Sequence, residues 1–330
     1  MSHDPEFRIV VAGAGAWGAA LATQIALGGR RVALWGRDAG AIDRMAGSRR
    51  HPSLPGSVFP DGVSPVSDPA VLQKAGTVVL AVPAQTLRSV LSDHGLAGAN
   101  GQVLIVAAKG LEQGTGLLMT EVAGDACPYA DIAMLSGPTF AVELAAGLPA
   151  AAVMAARDPG LAEDCAALFR GRAFRVYASP DLIGVALGGA AKNVLAIAAG
   201  AVMGAELGAN ARAAVISRGV AELSRLGAAL GASPSTMAGL SGLGDIVLSC
   251  TDPKSRNYSL GLALGRGEPP PSALAEGAHT VAPLLQRAAA AGVDMPIAAA
   301  VDAVLNRGRP LTAAVSELML RPEGAEAPPS

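Results

Sequence analysis

Apolar positions follow two rhythms along this chain. From Phe7 to about Ala178, short β-branched runs alternate with Ala- and Leu-rich amphipathic stretches, the pattern of a parallel sheet covered by helices on both faces. The runs predict strands at 7–12, 31–35, 77–82, 102–107, 131–136, 150–155 and 173–177. The Pro-rich stretch from His51 to Pro69 reads as an irregular connection between strands. After Ser179-Pro180 strand-like runs nearly vanish, and helices are expected at about 181–206, 210–230, 255–265, 278–291 and 296–306. The fold class is therefore α/β: a doubly wound, mostly parallel sheet, then an all-helical C-terminal domain. The change of rhythm sets the boundary near residue 179. Glu323 to Ser330, with two Pro and no large apolar side chain, reads as a frayed tail.

Composition sharpens this picture. The 330 residues include 41 Gly but only 2 Trp, 3 Tyr and 5 Phe, so the core must be built from small aliphatic side chains with backbones close together. A chain this long buries roughly three quarters of its unfolded surface and needs no disulfide or metal staple. Charges of 25 minus 27 give a net −2, which excludes a global positive field for nucleic acid or an anionic membrane. Cys127, Cys165 and Cys250 are too far apart for a metal spacing and read as reduced core thiols; the four His are equally scattered, and no metal is expected. The acidic start, Met-Ser-His-Asp-Pro-Glu-Phe, lacks the basic and apolar regions of a secretory signal, so the expected compartment is cytoplasmic. Leu182 to Ala205 is apolar enough to raise a membrane question, but Lys192-Asn193 sits at its middle, where an ammonium costs about 2.5–3.5 kcal/mol. It is expected to be a buried helix of a soluble protein, without membrane insertion.

Gly13-Ala14-Gly15-Ala16-Trp17-Gly18 follows the first strand and opens an Ala/Leu helix, placing G-x-G-x-x-G in the strand-turn-helix context of a Rossmann dinucleotide site. The first Gly permits the tight turn, the second lets a pyrophosphate touch the backbone, and the third lets helix and strand pack closely. The second strand runs into Trp35-Gly36-Arg37 with no carboxylate at its tip, so NADP(H) is expected to be accepted beside NAD(H), Arg37 pairing with a 2′-phosphate. The alternative leaves Arg37 solvated and gives the ribose to Asp38. Residues 1–178 then form the dinucleotide-binding domain and 179–330 the substrate-binding one.

Ligands in such sheets sit beyond the carboxyl ends of the strands, where Lys109-Gly110 and Gly137-Pro138-Thr139 fall. Lys192 is the sole charge in its apolar helix, and desolvation there lowers an ammonium's proton affinity toward the range useful for proton transfer. Its bland alternative is a lysine snorkelling out of a half-buried helix. Asp245 sits in what reads as a Gly-rich turn, Gly242-Leu243-Gly244. Ser255-Arg256-Asn257, at a helix start, is either a phosphate cradle or an ordinary N-cap with a solvated arginine.

Taken together, the motifs resemble the bacterial type of NAD(P)-dependent glycerol-3-phosphate dehydrogenase. The likeness runs from the G-A-G-x-W-G turn through A-K-G-L-E (108–112), S-G-P-T-F-A-x-E-L-A-x-G-L-P (136–149), F-R-V-Y (174–177), D-x-I-G-V-x-L-G-G-A-x-K-N (181–193), G-A-N-A-R (208–212), S-R-L-G-A-A-L-G (224–231) and G-L-G-D-x-V-L-S-C-T-D-x-x-S-R-N (242–257). It implies reduction of dihydroxyacetone phosphate to sn-glycerol 3-phosphate for glycerophospholipid synthesis. It makes Lys192 the proton-transferring residue, oriented by Asp245 and Asn193, with Lys109 stabilising charge. It assigns Lys109, Gly137, Thr139, Lys192, Asn193, Asp245, Ser255, Arg256 and Asn257 to the substrate, a phosphorylated three-carbon molecule. It assigns Gly13, Gly15, Ala16, Trp17, Gly18, Arg37, Lys109, Ala141, Arg256 and Glu276 to the cofactor. The chain departs from the family's V-x-E-G-Y pattern at Leu274-Ala275-Glu276-Gly277-Ala278-His279, which puts contacts from Leu274 in question. Rival expectations are a carboxylate-recognising reductase of the β-hydroxyacid dehydrogenase kind and a non-catalytic NADP(H)-binding sensor. The Ala/Gly-rich helical half is also compatible with a homodimer.

Overall fold

The computed structural model describes residues 7–96, 101–171, 173–272 and 275–319. Leu274 and the tail from Glu323 therefore lie outside the described residues. The strands are β1 (Ile9–Ala12), β2 (Val32–Trp35), β3 (Val63–Val66), β4 (Thr77–Leu80), β5 (Val103–Val106), β6 (Asp131–Ser136), β7 (Ala150–Ala156) and β8 (Phe174–Ser179). They form one sheet in the order β3-β2-β1-β4-β5-β6-β7-β8, parallel except where β7 runs against β6. The first six strands have the Rossmann order, with the switch point between β1 and β4. Helices α1 (Ala16–Leu27), α2 (Ala39–Ser48), α3 (Ala70–Lys74), α4 (Leu87–Asp93), α5 (Met119–Ala126), α6 (Ala141–Ala145) and α7 (Pro159–Ala167) connect or flank these strands. Val10, Val11, Val78, Val79, Leu104 and Ile105 are fully buried, as both faces of a helix-covered sheet require.

The connection expected from His51 to Pro69 contains a strand after all. β3 reads Val-Ser-Pro-Val and pairs with β2 alone, and an edge position leaves Pro65 no ladder hydrogen bond to donate on its outer side. Strands β1, β4 and β5 are shorter than their apolar runs by one or two residues at the ends.

The second half is helical: α8 (Leu182–Gly204), α9 (Gly208–Ala229), α10 (Pro234–Met237), α11 (Asp245–Thr251), α12 (Arg256–Arg266), α13 (Glu276–Ala290), α14 (Pro296–Asn306) and α15 (Leu311–Met319). Sequence rhythm missed α10, α11 and α15. Residues 240–244, expected as a turn, form a π-helical segment running straight into α11. Helix α8 is long and apolar enough to cross a bilayer, yet 89% of its most apolar window is buried inside the molecule.

What buries α8 is backbone proximity. Gly200 and Gly204 on α8 face Gly261 and Gly265 on α12, and a Cβ on any of the four would run into a carbonyl oxygen of the opposite helix: Tyr258, Leu262, Ile197 or Ala201. Two small-xxx-small stripes thus let the helices touch main chain to main chain. Helix α13 spans both halves. Its Arg287 forks onto Glu121 of α5 with two 2.7 Å bonds and reaches the Gly116 carbonyl at 3.2 Å.

Replacing Gly261 with Ala should cost about 2 kcal/mol or more, because the blocking atom is main chain and cannot swing aside. Thermal unfolding should show a drop of roughly 4 °C or more, whereas alanine at Gly124, with open space around it, should leave Tm nearly unchanged.

Candidate active site

Beyond the carboxyl ends of β4 and β5, Ala84 and Lys109 bond Glu276 and Asp245 of the helical half. Gly13 leaves β1 with φ +114°, and a Cβ there would lie 2.6 Å from the Ala81 carbonyl oxygen after β4. Gly18 faces the Gly13 carbonyl so closely that no side chain fits. Gly15 is the opposite case: it is exposed, a Cβ there would meet nothing within 4 Å, and it begins α1 without any side-chain cap. The first N–H groups of α1 thus lack a capping side chain at an exposed turn, the setting in which a pyrophosphate binds. Ala16 and Trp17 are half-buried beside it, and Trp17 Nε1 donates to the Ala107 carbonyl past β5 at 3.3 Å. Arg37 is exposed just beyond β2, while Asp38 caps α2 by accepting from the Ala41 N–H at 2.9 Å.

Three charged side chains meet beyond β5. Lys109 Nζ lies 2.6 Å from Asp245 Oδ2 and donates to the Gly137 carbonyl at 3.2 Å; Lys192 Nζ lies 2.5 Å from Asp245 Oδ1. Asp245 is fully buried, and the Lys192 side chain keeps only 11% of its surface exposed, so this lysine does not snorkel into bulk solvent. Burial pushes the Lys109 ammonium down to about 8; the Asp245 carboxylate pulls the other way and the nearby Lys192 charge adds to the lowering. One carboxylate between two ammoniums leaves a net positive charge in a nearly dry setting, ready for a developing oxyanion. Ser249, one helical turn after Asp245, donates to Oδ1 at 3.5 Å. Sequence reasoning missed it because it shows only once 245–251 is taken as helix.

Asn193 does not orient Lys192. Its Oδ1 accepts from Asn257 Nδ2 at 2.9 Å, and Asn257 Oδ1 accepts from the Gly277 N–H at 2.9 Å, so the pair ties α8, α12 and α13 together. Ser255 caps α12, its Oγ accepting from the Tyr258 N–H at 3.3 Å. Arg256 is exposed at the same helix start and makes no ion pair among the described residues. Thr139 donates to the Gly137 carbonyl at 3.2 Å, and Ala141 opens α6.

Glu276 begins α13, where Oε1 accepts from the Ala84 N–H at 3.4 Å. Its Oε2 is buried without a partner, and burial raises its proton affinity. One carboxylate oxygen beside the loop after β4 is thus left as a free acceptor. Among the described residues no group of three or more His, Cys, Asp or Glu could hold a metal ion.

The chain matches family models described as NAD-dependent glycerol-3-phosphate dehydrogenase N-terminus over residues 8–162 and C-terminus over 181–316. It is 49% identical over 327 residues to a glycerol-3-phosphate dehydrogenase (NAD(P)+) of Bradyrhizobium sp. (strain ORS 278), covering 99% of this chain and 100% of that one. A relative of the same name from Azorhizobium caulinodans is 50% identical over 323 residues, covering 97% and 98%. The crystal structure of glycerol-3-phosphate dehydrogenase from Coxiella burnetii superposes with a TM-score of 0.89 at 35% identity, covering 95% of this chain and 98% of that one. A PanE/ApbA family ketopantoate reductase from Ralstonia eutropha shares the fold at 18% identity and a TM-score of 0.58, covering 94% and 99%.

Because the Asp245 charge opposes the burial that lowers the proton affinity of Lys109, Asp245→Asn should make that amine neutral at still lower pH. Acylation of Lys109 followed by mass spectrometry across pH 6–10 should begin at lower pH than in the unaltered protein.

Proposed function

The chain belongs to the NAD-dependent glycerol-3-phosphate dehydrogenase family, and from that premise we propose how its own residues divide the work. The reaction is the reversible reduction of dihydroxyacetone phosphate to sn-glycerol 3-phosphate with NAD(P)H, a product that fits glycerophospholipid synthesis. The observation that carries the assignment of roles is the pair of buried ammoniums held on the two oxygens of Asp245.

When bound, NAD(P)H would supply the hydride that reduces the substrate's carbonyl carbon. As negative charge grows on the carbonyl oxygen, Lys192 Nζ gives it a proton and the Lys109 ammonium stabilises it from the other side. Asp245 holds both amines in place and lowers the cost of burying their charges. In the oxidative direction Lys192 must begin neutral to take the hydroxyl proton.

Ser255, Arg256 and Asn257 hold the phosphate. The free N–H groups at the start of α12 and the exposed guanidinium of Arg256 support this reading, as does the bond from Asn257 to Asn193, the residue after Lys192. Gly137 and Thr139 line the substrate from β6. Gly13, Gly15, Ala16, Trp17, Gly18 and Ala141 hold the dinucleotide with Glu276, and Arg37 takes a 2′-phosphate. Asp38 supports that last role by spending its carboxylate on α2. The split into cofactor and substrate domains falls near residue 179, between the end of β8 and the start of α8. We also assign the enzyme to the cytoplasm, where the buried, unpaired Cys127, Cys165 and Cys250 stay reduced.

Lys192→Met should lower kcat for dihydroxyacetone phosphate reduction by roughly 10³-fold, within the range of general acid catalysis, while NADPH affinity stays within about twofold. Absorbance of NADPH reports turnover and its fluorescence reports binding; equal loss of both would remove the proposed role.

A further inference from the structure

The loop after α2 carries a buried histidine that the reaction does not use. Arg49 takes a left-handed conformation with φ 53°, and its guanidinium bonds the Phe59 and Pro60 carbonyls at 2.9 and 2.7 Å, closing residues 49–60 into a compact loop. Inside that loop His51 is 8% exposed. Its Nδ1 lies 3.0 Å from the Ser53 backbone N–H, and its Nε2 lies 3.1 Å from the Ala14 carbonyl oxygen.

These two contacts fix the protonation state. A backbone N–H can only donate, so Nδ1 is an acceptor and carries no proton. The imidazole is then neutral with its hydrogen on Nε2, which donates to Ala14. Ala14 is the residue between Gly13 and Gly15, and its carbonyl belongs to the same peptide plane as the Gly15 N–H. In a trans peptide those two groups point in opposite directions. Holding the Ala14 carbonyl on one side therefore aims the Gly15 N–H out of the other, toward the open space at the start of α1. Gly15 bounds this peptide on one side and, lacking a Cβ, does little to restrain its rotation.

We propose that His51 is a positioning residue of the dinucleotide site, clasping the Ala14 peptide so that the glycine turn presents its amide to the cofactor's pyrophosphate. The assignment rests on the reading of that turn as the NAD(P)H site. It also gives cofactor binding a sensitivity to acid. A second proton would land on Nδ1, directly against the Ser53 N–H, and the loop would have to shift to relieve the clash.

The surroundings offer that proton no welcome. Burial pushes the His51 imidazole below its ordinary 6.5, with the Ala14 carbonyl the smaller, opposing influence. The glycine turn carries no titratable group, Arg49 is turned to Phe59, Pro60 and Asp61, and Asp38 is bonded to Ala41. Arg37 and Arg50 are exposed and add only positive charge. A group whose proton affinity is depressed in the clasped form penalises that form as pH falls through 6.5, and is silent above it.

The test compares NADPH dissociation constants, read by nicotinamide fluorescence from pH 5.5 to 8.5, for the unaltered chain, His51→Gln and His51→Asn. A glutamine amide reaches about as far as Nε2 and can still donate to Ala14. An asparagine reaches only as far as Nδ1, so it can keep the local bond to Ser53 but not the clasp. At pH 8 the Gln variant should bind NADPH within about twofold of the unaltered chain, and the Asn variant roughly fivefold more weakly, the usual effect of losing one buried hydrogen bond. Below pH 6.5 the unaltered chain should lose affinity relative to the Gln variant; the cofactor's own phosphate titrates equally in both and drops out of the comparison. An Asn variant as tight as the unaltered chain, or identical pH profiles for the Gln variant and the unaltered chain, would overturn the proposal while leaving the cofactor site intact. If the Asn variant does not fold, the comparison of the other two profiles still decides. An unaltered chain that binds neither NADPH nor NADH would overturn both this proposal and the cofactor reading beneath it.

Discussion

A single buried carboxylate shared by two ammoniums governs the arrangement of this molecule. Asp245 is fully enclosed, and neither lysine is a sequence neighbour: one stands 53 residues away on α8 and the other 136 residues away beyond β5. Burying any of the three alone would be expensive, and burying them together is tolerable only when the geometry is right. The sheet half supplies one cation and the helical half supplies the anion and the second cation. Correct seating of the two halves is therefore a condition for charge balance at the point where they meet. The remaining positive charge leaves room for the negative oxygen of a reacting carbonyl.

That charge cluster can be dry only because the helices around it come so close. Lys192 extends from a helix whose other positions are nearly all Ala, Gly, Val, Leu and Ile, and whose later turns are sealed by the glycine stripes of α12. Gly189, one turn before Lys192, has the Ser136 hydroxyl pressed against it, and Gly188 has the Ser241 main chain. The scarcity of aromatic residues follows from the same design. Where main chains touch, a large ring has nowhere to go, and the core gains its density from many small contacts.

Much of this was legible in the sequence, for reasons that can be named. Strands at the centre of a parallel sheet are buried on both faces, so β1, β4, β5 and β6 announce themselves as unbroken β-branched runs. Edge strand β3 did not, because a four-residue segment with a proline resembles a loop until a neighbour is supplied. Gly242 and Gly244 suggested a turn, yet a Cβ at Gly242 would enter the Met237 main chain, so the glycine there serves close packing within helical backbone. Lys192 stood out as a lone charge among apolar neighbours. Asp245 carried no comparable signal in isolation, and its assignment came from resemblance. Adjacency in sequence says nothing about direction on a helix: consecutive residues point about 100° apart, and the Asn193 side chain bonds Asn257 of α12. His51 was invisible, since its partner is a main-chain carbonyl 37 residues away.

The course of α13 bears on how the halves can move. Near its start Glu276 accepts from the Ala84 backbone, and in its last turn Arg287 grips Glu121 and Gly116, so one helix is bolted to the sheet half at both ends. A rigid-body swing that parted the halves along this flank would have to break a forked ion pair and a main-chain bond in the same motion. Helix α13 is thus a tie rod, and it makes the two lobes mechanically one body along that side of the cleft.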